Sequence, residues 1–241
     1  MMHLTTLMHQ GVSDQMNGVY RPEVVKSMEG EIIDLPNPKE LSFPEKNLRD
    51  IIEQRTSVRT YSQENISLEE LSYLLWLTQG VRKIRENDKV AVTLRNVPTA
   101  GARNPLETYL FVNRVDTLKQ GLYFYDARDH KLVLMNDDDK LQEKIWQACC
   151  RQDMVKNCAV NFIWSAIPYR TAWRYQSRSY RYMHLDVGHV CQNLYLVAES
   201  LDCGVCAIGA YYDEFIDTYL NLDGVEETVI YIATLGKKEL S

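Results

Sequence analysis

Arg55, Ser57 and Arg59 fall within five positions of one another in the stretch IIEQRTSVRTYS, residues 51–62. A guanidinium offers a rigid fork of N–H donors that matches phosphate oxygens, and a hydroxyl can serve a further oxygen. Arginines four apart share a face wherever a helix runs through them. The same residues also suit an ordinary helix end, where cations favour the C-terminal dipole and water solvates them. On its own the stretch leaves two readings open: a solvated helix end, or the seat of a flat anionic ligand.

Other stretches carry chemistry of their own. VPTAGAR, residues 97–103, strings small side chains at Thr99, Ala100, Gly101 and Ala102, so its backbone can approach a flat ligand closely. Ala207, Ile208, Gly209 and Ala210 form a second such run, and LGKK adds Lys237 and Lys238 near the C-terminus. Between residues 169 and 182, Tyr169, Trp173, Tyr175, Tyr180 and Tyr182 alternate with Arg170, Arg174, Arg178 and Arg181. Such a segment reads either as core or as an aromatic lid able to stack on a planar substrate. Cys203 and Cys206 make a C-x-x-C at a turn entering a strand; without a second pair a structural role is favoured over a redox relay. His184 and His189 are five apart, which is not the spacing of a helical zinc pair, and His189 is expected as a packed helix residue. Asp137, Asp138 and Asp139 precede a helix, where acids favour the N-terminal dipole, so no metal is expected there.

The elements that must position these residues are legible in part. Residues 1–46, with Pro22, Pro36, Pro38 and Pro44, read as an extension that wraps over a surface, and residues 47–241 as the structured domain. NLRDIIEQR reads as a helix with Leu48, Ile51 and Ile52 on one face. SLEELSYLLWLTQG is a stronger helix, with Ser67 and Glu70 as a capping box, Gly80 as its stop, and Leu71, Leu74, Leu75 and Leu77 buried. A strand at ETYLFVNRV and a hairpin turning near Ala127–His130 follow, then a helix at 137–150, a strand at 159–168, a helix at 183–200, a strand at 205–212, a short helix and a last strand at 228–238. Helices and about five strands are thus interleaved without regular βαβ alternation, and neither G-x-G-x-x-G nor a P-loop is present. With 241 residues, 45% hydrophobic and a net charge of −6, the chain lacks the basic footprint of a nucleic-acid binder. No apolar run approaches the roughly 18 residues of a membrane span, and no signal peptide is read. The six cysteines are expected as reduced, mostly buried thiols, and the compartment as cytoplasmic.

Taken in order, RTSVRTYS, LSYLLWLTQGV, VPTAGARNPLETYLFV, GLYFYD, SYRYMHLDVGHVCQNLYLVAESLDCGVCAIGAYYD and LGKK resemble the FMN-dependent nitroreductase family, closest to its SagB-type azoline dehydrogenase branch. The resemblance implies an α+β three-layer sandwich, a central mostly antiparallel sheet flanked by helices, that forms an intertwined homodimer with FMN at the interface. It implies Arg55 and Ser57 on the FMN phosphate and ribityl chain, and Arg59 near the pyrimidine side of the ring, where it stabilises negative charge on the reduced ring. It implies Pro98, Thr99, Ala100 and Gly101 as a loop supplied by the partner subunit. Ile208, Gly209 and Ala210 would pass the flavin edge, and Lys237 and Lys238 would meet the phosphate.

The chain departs from the family pattern at Ala102 and Asn104, where many members have Asn and Gln, which shifts any flavin contact there to the backbone. It departs again at Arg174, where the azoline dehydrogenase branch has lysine. Arginine does not surrender its proton, so Tyr175 is left to handle one at the catalytic position. The expected activity is NADH- or NADPH-driven, ping-pong reduction of an electron-poor planar small molecule. Azoline oxidation in a peptide, and a low-turnover flavin carrier or sensor, stand as alternatives.

Overall fold

The computed structural model describes residues 2–87 and 91–239; residues 1, 240 and 241, at the ends of the two expected segments, lie outside it. Two apolar cores dictate the architecture, one on each face of a seven-stranded sheet. Strand alternation sorts the residues: along β4 (Leu106–Val112), Leu106, Leu110 and Val112 enter one core, whereas Tyr109 and Phe111 enter the other. The same alternation runs through β7 (Val160–Ala166), β8 (Cys203–Ile208) and β9 (Thr228–Lys237). With β1 (Glu31–Asp34), β5 (Gly121–Asp126) and β6 (Lys131–Asn136), the strand order is β1-β6-β5-β4-β7-β9-β8, every pairing antiparallel.

Helices cover both faces. The long α6 (Ser179–Ser200) buries Val187, Val190, Leu194 and Ala198 beside Leu71, Leu74 and Leu75 of α2 (Leu68–Gln79). Across the sheet, α3 (Leu141–Ala148) and α7 (Asp213–Tyr219) supply Ile145 and Ile216 to the second core. The fold is therefore the expected α+β three-layer sandwich with a central antiparallel sheet. In α2 the expected capping box is present in both directions, Ser67 Oγ accepting from Glu70 N–H and Glu70 from Ser67 N–H. Gly80 follows as the stop, and a Cβ there would lie 2.3 Å from Trp76.

Three strands escaped the sequence reading. β1 lies within the proline-punctuated residues 1–46, where Val24, Val25 and Leu35 are also buried. β2 (Val81–Glu86) and β3 (Ala91–Arg95) form a separate two-stranded ribbon. Leu48 and Ile52, expected on the buried face of α1 (Leu48–Gln54), are 63% and 53% exposed, because only Ile51 turns inward. Segment 169–182 is largely helical. α5 (Pro168–Tyr175), a 3-10 turn and the start of α6 cover it, broken at Gln176 by a left-handed φ of 48°, with Arg170 and Trp173 buried. Residues 4–23 strap its outer side: Trp173 Nε1 donates to Val19 O (3.0 Å), Arg170 Nε to Glu23 O (2.9 Å), and Gly11 N–H to Gln176 Oε1 (2.8 Å). No described helix is long and apolar enough to cross a membrane.

Candidate functional site

The arginine turn is built from where α1 stops. Arg55 is its C-cap, with an extended ψ of 121°, so Arg55 and Arg59 do not share a helical face as a continued helix would require. The chain instead runs beside β8, Ser57 bridging Val205 in parallel and Val58 N–H donating to Val205 O (2.9 Å). Gly204 permits this approach, because a Cβ there would sit 2.5 Å from the Val58 side chain. Tyr195 of α6 gathers the pieces. Its hydroxyl accepts from Ala207 N–H (2.9 Å) and hydrogen-bonds Ser57 Oγ (3.2 Å), and its ring carries the Arg55 guanidinium at 5.3 Å. Arg59 Nη1 donates only to Ser57 O (3.3 Å), and neither arginine has an ion pair among the described residues. Past buried Ile208, Gly209 and Ala210 are exposed, and a Cβ on Gly209 would meet nothing within 4 Å.

The 98–101 loop forms a second cluster. Pro98 and Gly101 are exposed, and Thr99 and Ala100 are half-buried. Thr99 Oγ1 donates to Asp186 Oδ2 (2.6 Å) and Ala100 N–H to Asp186 Oδ1 (3.2 Å). Gly101 has φ 58°, and a Cβ there would lie 2.4 Å from the Tyr175 hydroxyl, so the phenol packs closely against the loop. Exposed Arg174 lays its guanidinium over the Tyr175 ring at 5.3 Å. Asn104, one of the departures from the family pattern, is buried. Its amide donates to Thr93 O (2.6 Å), making it an anchor of the loop rather than a ligand contact.

Both clusters hang on α6, from Asp186 to Tyr195, nine residues or about 13 Å apart along the axis and roughly half a turn around it. They flank the helix's buried stripe on opposite sides. The turn and the loop are therefore not brought together within one chain.

The remaining candidates sort by their partners. Lys237 is ion-paired with Glu70 and donates to Leu201 O (3.2 Å); Lys238 is paired with Glu199 at 2.5 Å. Burial opposes the charge on Lys237, yet the hydrogen bond to Glu70 holds its pKa above the usual value. Neither lysine is unpaired, so a phosphate contact would require it to leave a carboxylate. Cys203 and Cys206, three apart in a strand, point into opposite cores and so cannot pair. Burial pushes the Cys203 thiol up to about 12 and raises that of Cys206, against the Arg59 cation. Among the described residues every cysteine is free and no acidic, histidine or cysteine group could hold a metal. Asp138 instead caps the turn before α3, accepting from Lys140 N–H (3.0 Å).

Sequence reasoning missed Asp186 and Tyr195. Both lie within an amphipathic helix at positions flanking its apolar stripe, and the only signal was an acid and a phenol beside that stripe.

The profile of the nitroreductase family matches residues 52–237. The chain belongs to that family. A Methanocaldococcus jannaschii protein that carries a nitroreductase name is 33% identical over 206 residues, 86% of this chain and 96% of its own. An Anabaena variabilis crystal structure, also carrying a nitroreductase name, superposes with a TM-score of 0.67 at 29% identity, over 80% of this chain and 38% of its own. A Rhizobium leguminosarum trifolitoxin-processing protein is 29% identical over 149 residues; the match covers 59% of this chain but only 39% of that longer protein. Membership of the nitroreductase family makes the chain an FMN-dependent oxidoreductase.

The residues present fit such a cofactor. The arginine turn offers guanidinium donors, a hydroxyl and, among the described residues, no carboxylate paired with them, the donor set a phosphate requires. The open space at Gly209 admits a flat group against the backbone.

Proposed function

We infer that two copies of this chain together hold FMN, the arginine turn of one copy facing the 98–101 loop of the other. We infer further that the enzyme uses NADH or NADPH for the two-electron reduction of an electron-poor planar molecule of nitroaromatic or quinone type. The observation that carries this reading is the pair of guanidinium groups, Arg55 and Arg59, without ion pairs among the described residues, beside Ser57 along β8. FMN bound there supplies reversible hydride chemistry at its ring.

The chain's own residues supply the rest. Arg55 and Ser57 grip the phosphate, and Arg59 adds positive charge at the site. The 208–210 backbone lines the ring edge, with Ile208 turned into the core and Gly209 leaving the edge open. Tyr175, held against Gly101 by close packing, is the hydroxyl able to pass a proton. Arg174 keeps its charge and orients the phenol. NAD(P)H and the electron acceptor take turns on one open face, a ping-pong order. Support for the second copy comes from the separation of the two clusters across α6 and from apolar residues left uncovered in one chain: Leu48, Ile52, Tyr180 and Leu185, each more than half exposed.

A second reading, oxidation of azoline rings in a peptide, draws on the trifolitoxin-processing relative. One experiment separates them. Under anaerobic conditions NADH or NADPH should bleach the yellow protein, and a nitroaromatic or quinone should restore the colour. Bleaching by an azoline peptide but by neither nicotinamide would replace the first reading with the second. Reduction by dithionite alone would leave a flavin carrier.

A further inference from the structure

We propose that Asp186 is the positioning residue of the 98–101 loop, fixing the backbone that this loop presents to FMN in the partner's site. The proposal rests on the reading above and concerns a residue outside the expected ligand contacts.

Three observations carry it. First, the loop is strained: Gly101, Ala102 and Asn104 all have left-handed φ, at 58°, 53° and 45°, and two of them bear side chains. Non-glycine residues persist there only where their surroundings over-determine the conformation. Second, Asp186 is 4% exposed and spends both carboxylate oxygens on this one loop, accepting from the Thr99 hydroxyl at 2.6 Å and the Ala100 amide at 3.2 Å. The clasp continues inward, since Asn104 N–H donates to Thr99 Oγ1 (3.3 Å). Third, Asp186 has no ion pair among the described residues. Burial raises its pKa, opposed by the hydrogen bonds from Thr99 and Ala100. His189, three residues along α6, also favours the charged form, but a buried carboxylate without an ion pair is still costly. One that holds a strained loop beside a ligand face is explained by what it positions.

The molecule contains its own control. Asp217 is equally buried, at 5% exposure, and makes the same kind of clasp, accepting from the Thr228 hydroxyl (2.8 Å) and Val229 N–H (2.7 Å), but on α7 and β9. Removing either carboxylate should lower stability; only one should touch the cofactor.

The test is a fluorescence titration of the full-length, flavin-stripped protein with FMN, alongside thermal unfolding. Asp186→Asn should weaken FMN binding about tenfold, because the amide keeps one acceptor oxygen for the two donors, the Thr99 hydroxyl and the Ala100 N–H. Asp217→Asn should lower the melting temperature and leave FMN binding at the wild-type value. Thr99→Val should weaken binding comparably, and Thr99→Ser, which keeps the hydroxyl, should restore most of it. Combining Asp186→Asn with Thr99→Val should cost little beyond either change alone, as expected for two ends of one contact. If Asp186→Asn does not fold, the Thr99→Val and Thr99→Ser comparison decides alone. Equal FMN affinity for wild type, Asp186→Asn and Thr99→Val overturns the proposal while leaving FMN use intact. A wild-type protein that takes up no FMN overturns the parent reading and this one with it.

Discussion

At the scale of single residues, the site is a matter of which polar groups are left over. Lys237 and Lys238 have carboxylates, and Asp186 has a hydroxyl and an amide, but among the described residues Arg55 and Arg59 have no acid paired with them. Where opposite charges are not supplied by the chain, an anionic ligand can supply them. Gly101 shows the same logic in backbone form. A left-handed φ disfavours any side chain by about 1–2 kcal/mol, and a methyl group would also strike the Tyr175 hydroxyl. Gly101→Ala is therefore expected to lower the free energy of unfolding in urea by at least about 1 kcal/mol and to weaken FMN binding. Unchanged values of both would show that the loop and the phenol are not packed as described.

At the scale of elements, α6 is the beam between the clusters, and Tyr195 is its joint with β8. Tyr195→Phe leaves the ring under Arg55 but strips Ala207 N–H of its acceptor and Ser57 of its partner. The expected cost is about 1–3 kcal/mol of stability, with a severalfold loss of FMN affinity. A variant indistinguishable from wild type in both measurements would remove Tyr195 from the site. Elements were legible where sequence period and punctuation agreed. α2 announced itself by its capping box, and the β5–β6 hairpin by alternation around a turn. β2 did not, because VRKIRE exposes charges on both sides and carries no apolar alternation. α5 was obscured by its many aromatics and arginines, although Pro168 in its first turn is a helix-start signal. The arginine turn, the 98–101 loop and the end of β8 were legible as motifs. Asp186 and Tyr195 were not, since only tertiary packing shows which turn of α6 meets which loop.

At the scale of the molecule, one buried histidine sets part of the response to acid. His130 joins α2, β5 and the residue 36 region: Tyr125 O–H donates to its Nδ1 (2.8 Å), and Ser72, which donates to Pro36 O, receives its Nε2–H (2.8 Å). Burial pushes its pKa down to about 4, from an ordinary 6.5. Between those values the unfolded chain takes up a proton that the folded chain refuses, so stability is full above pH 6.5 and falls with acidification. The loss between pH 7.5 and pH 5 is about 2 kcal/mol. Urea unfolding at both pH values should show that difference in wild type relative to His130→Gln, which cancels the contributions of other groups. Equal pH dependence in the two proteins would contradict the assignment. The whole-molecule claim that matters most is that paired copies carry a flavin gripped by the arginine turn. The direct measurement is the FMN released from the purified, native protein, per chain, for wild type and Arg55→Ala. The account predicts about one FMN per wild-type chain. It predicts affinity some 10–100-fold weaker in the variant, the worth of one charge-assisted hydrogen bond. A colourless wild type that cannot be loaded with FMN, or an Arg55→Ala protein that holds it as tightly, would contradict it.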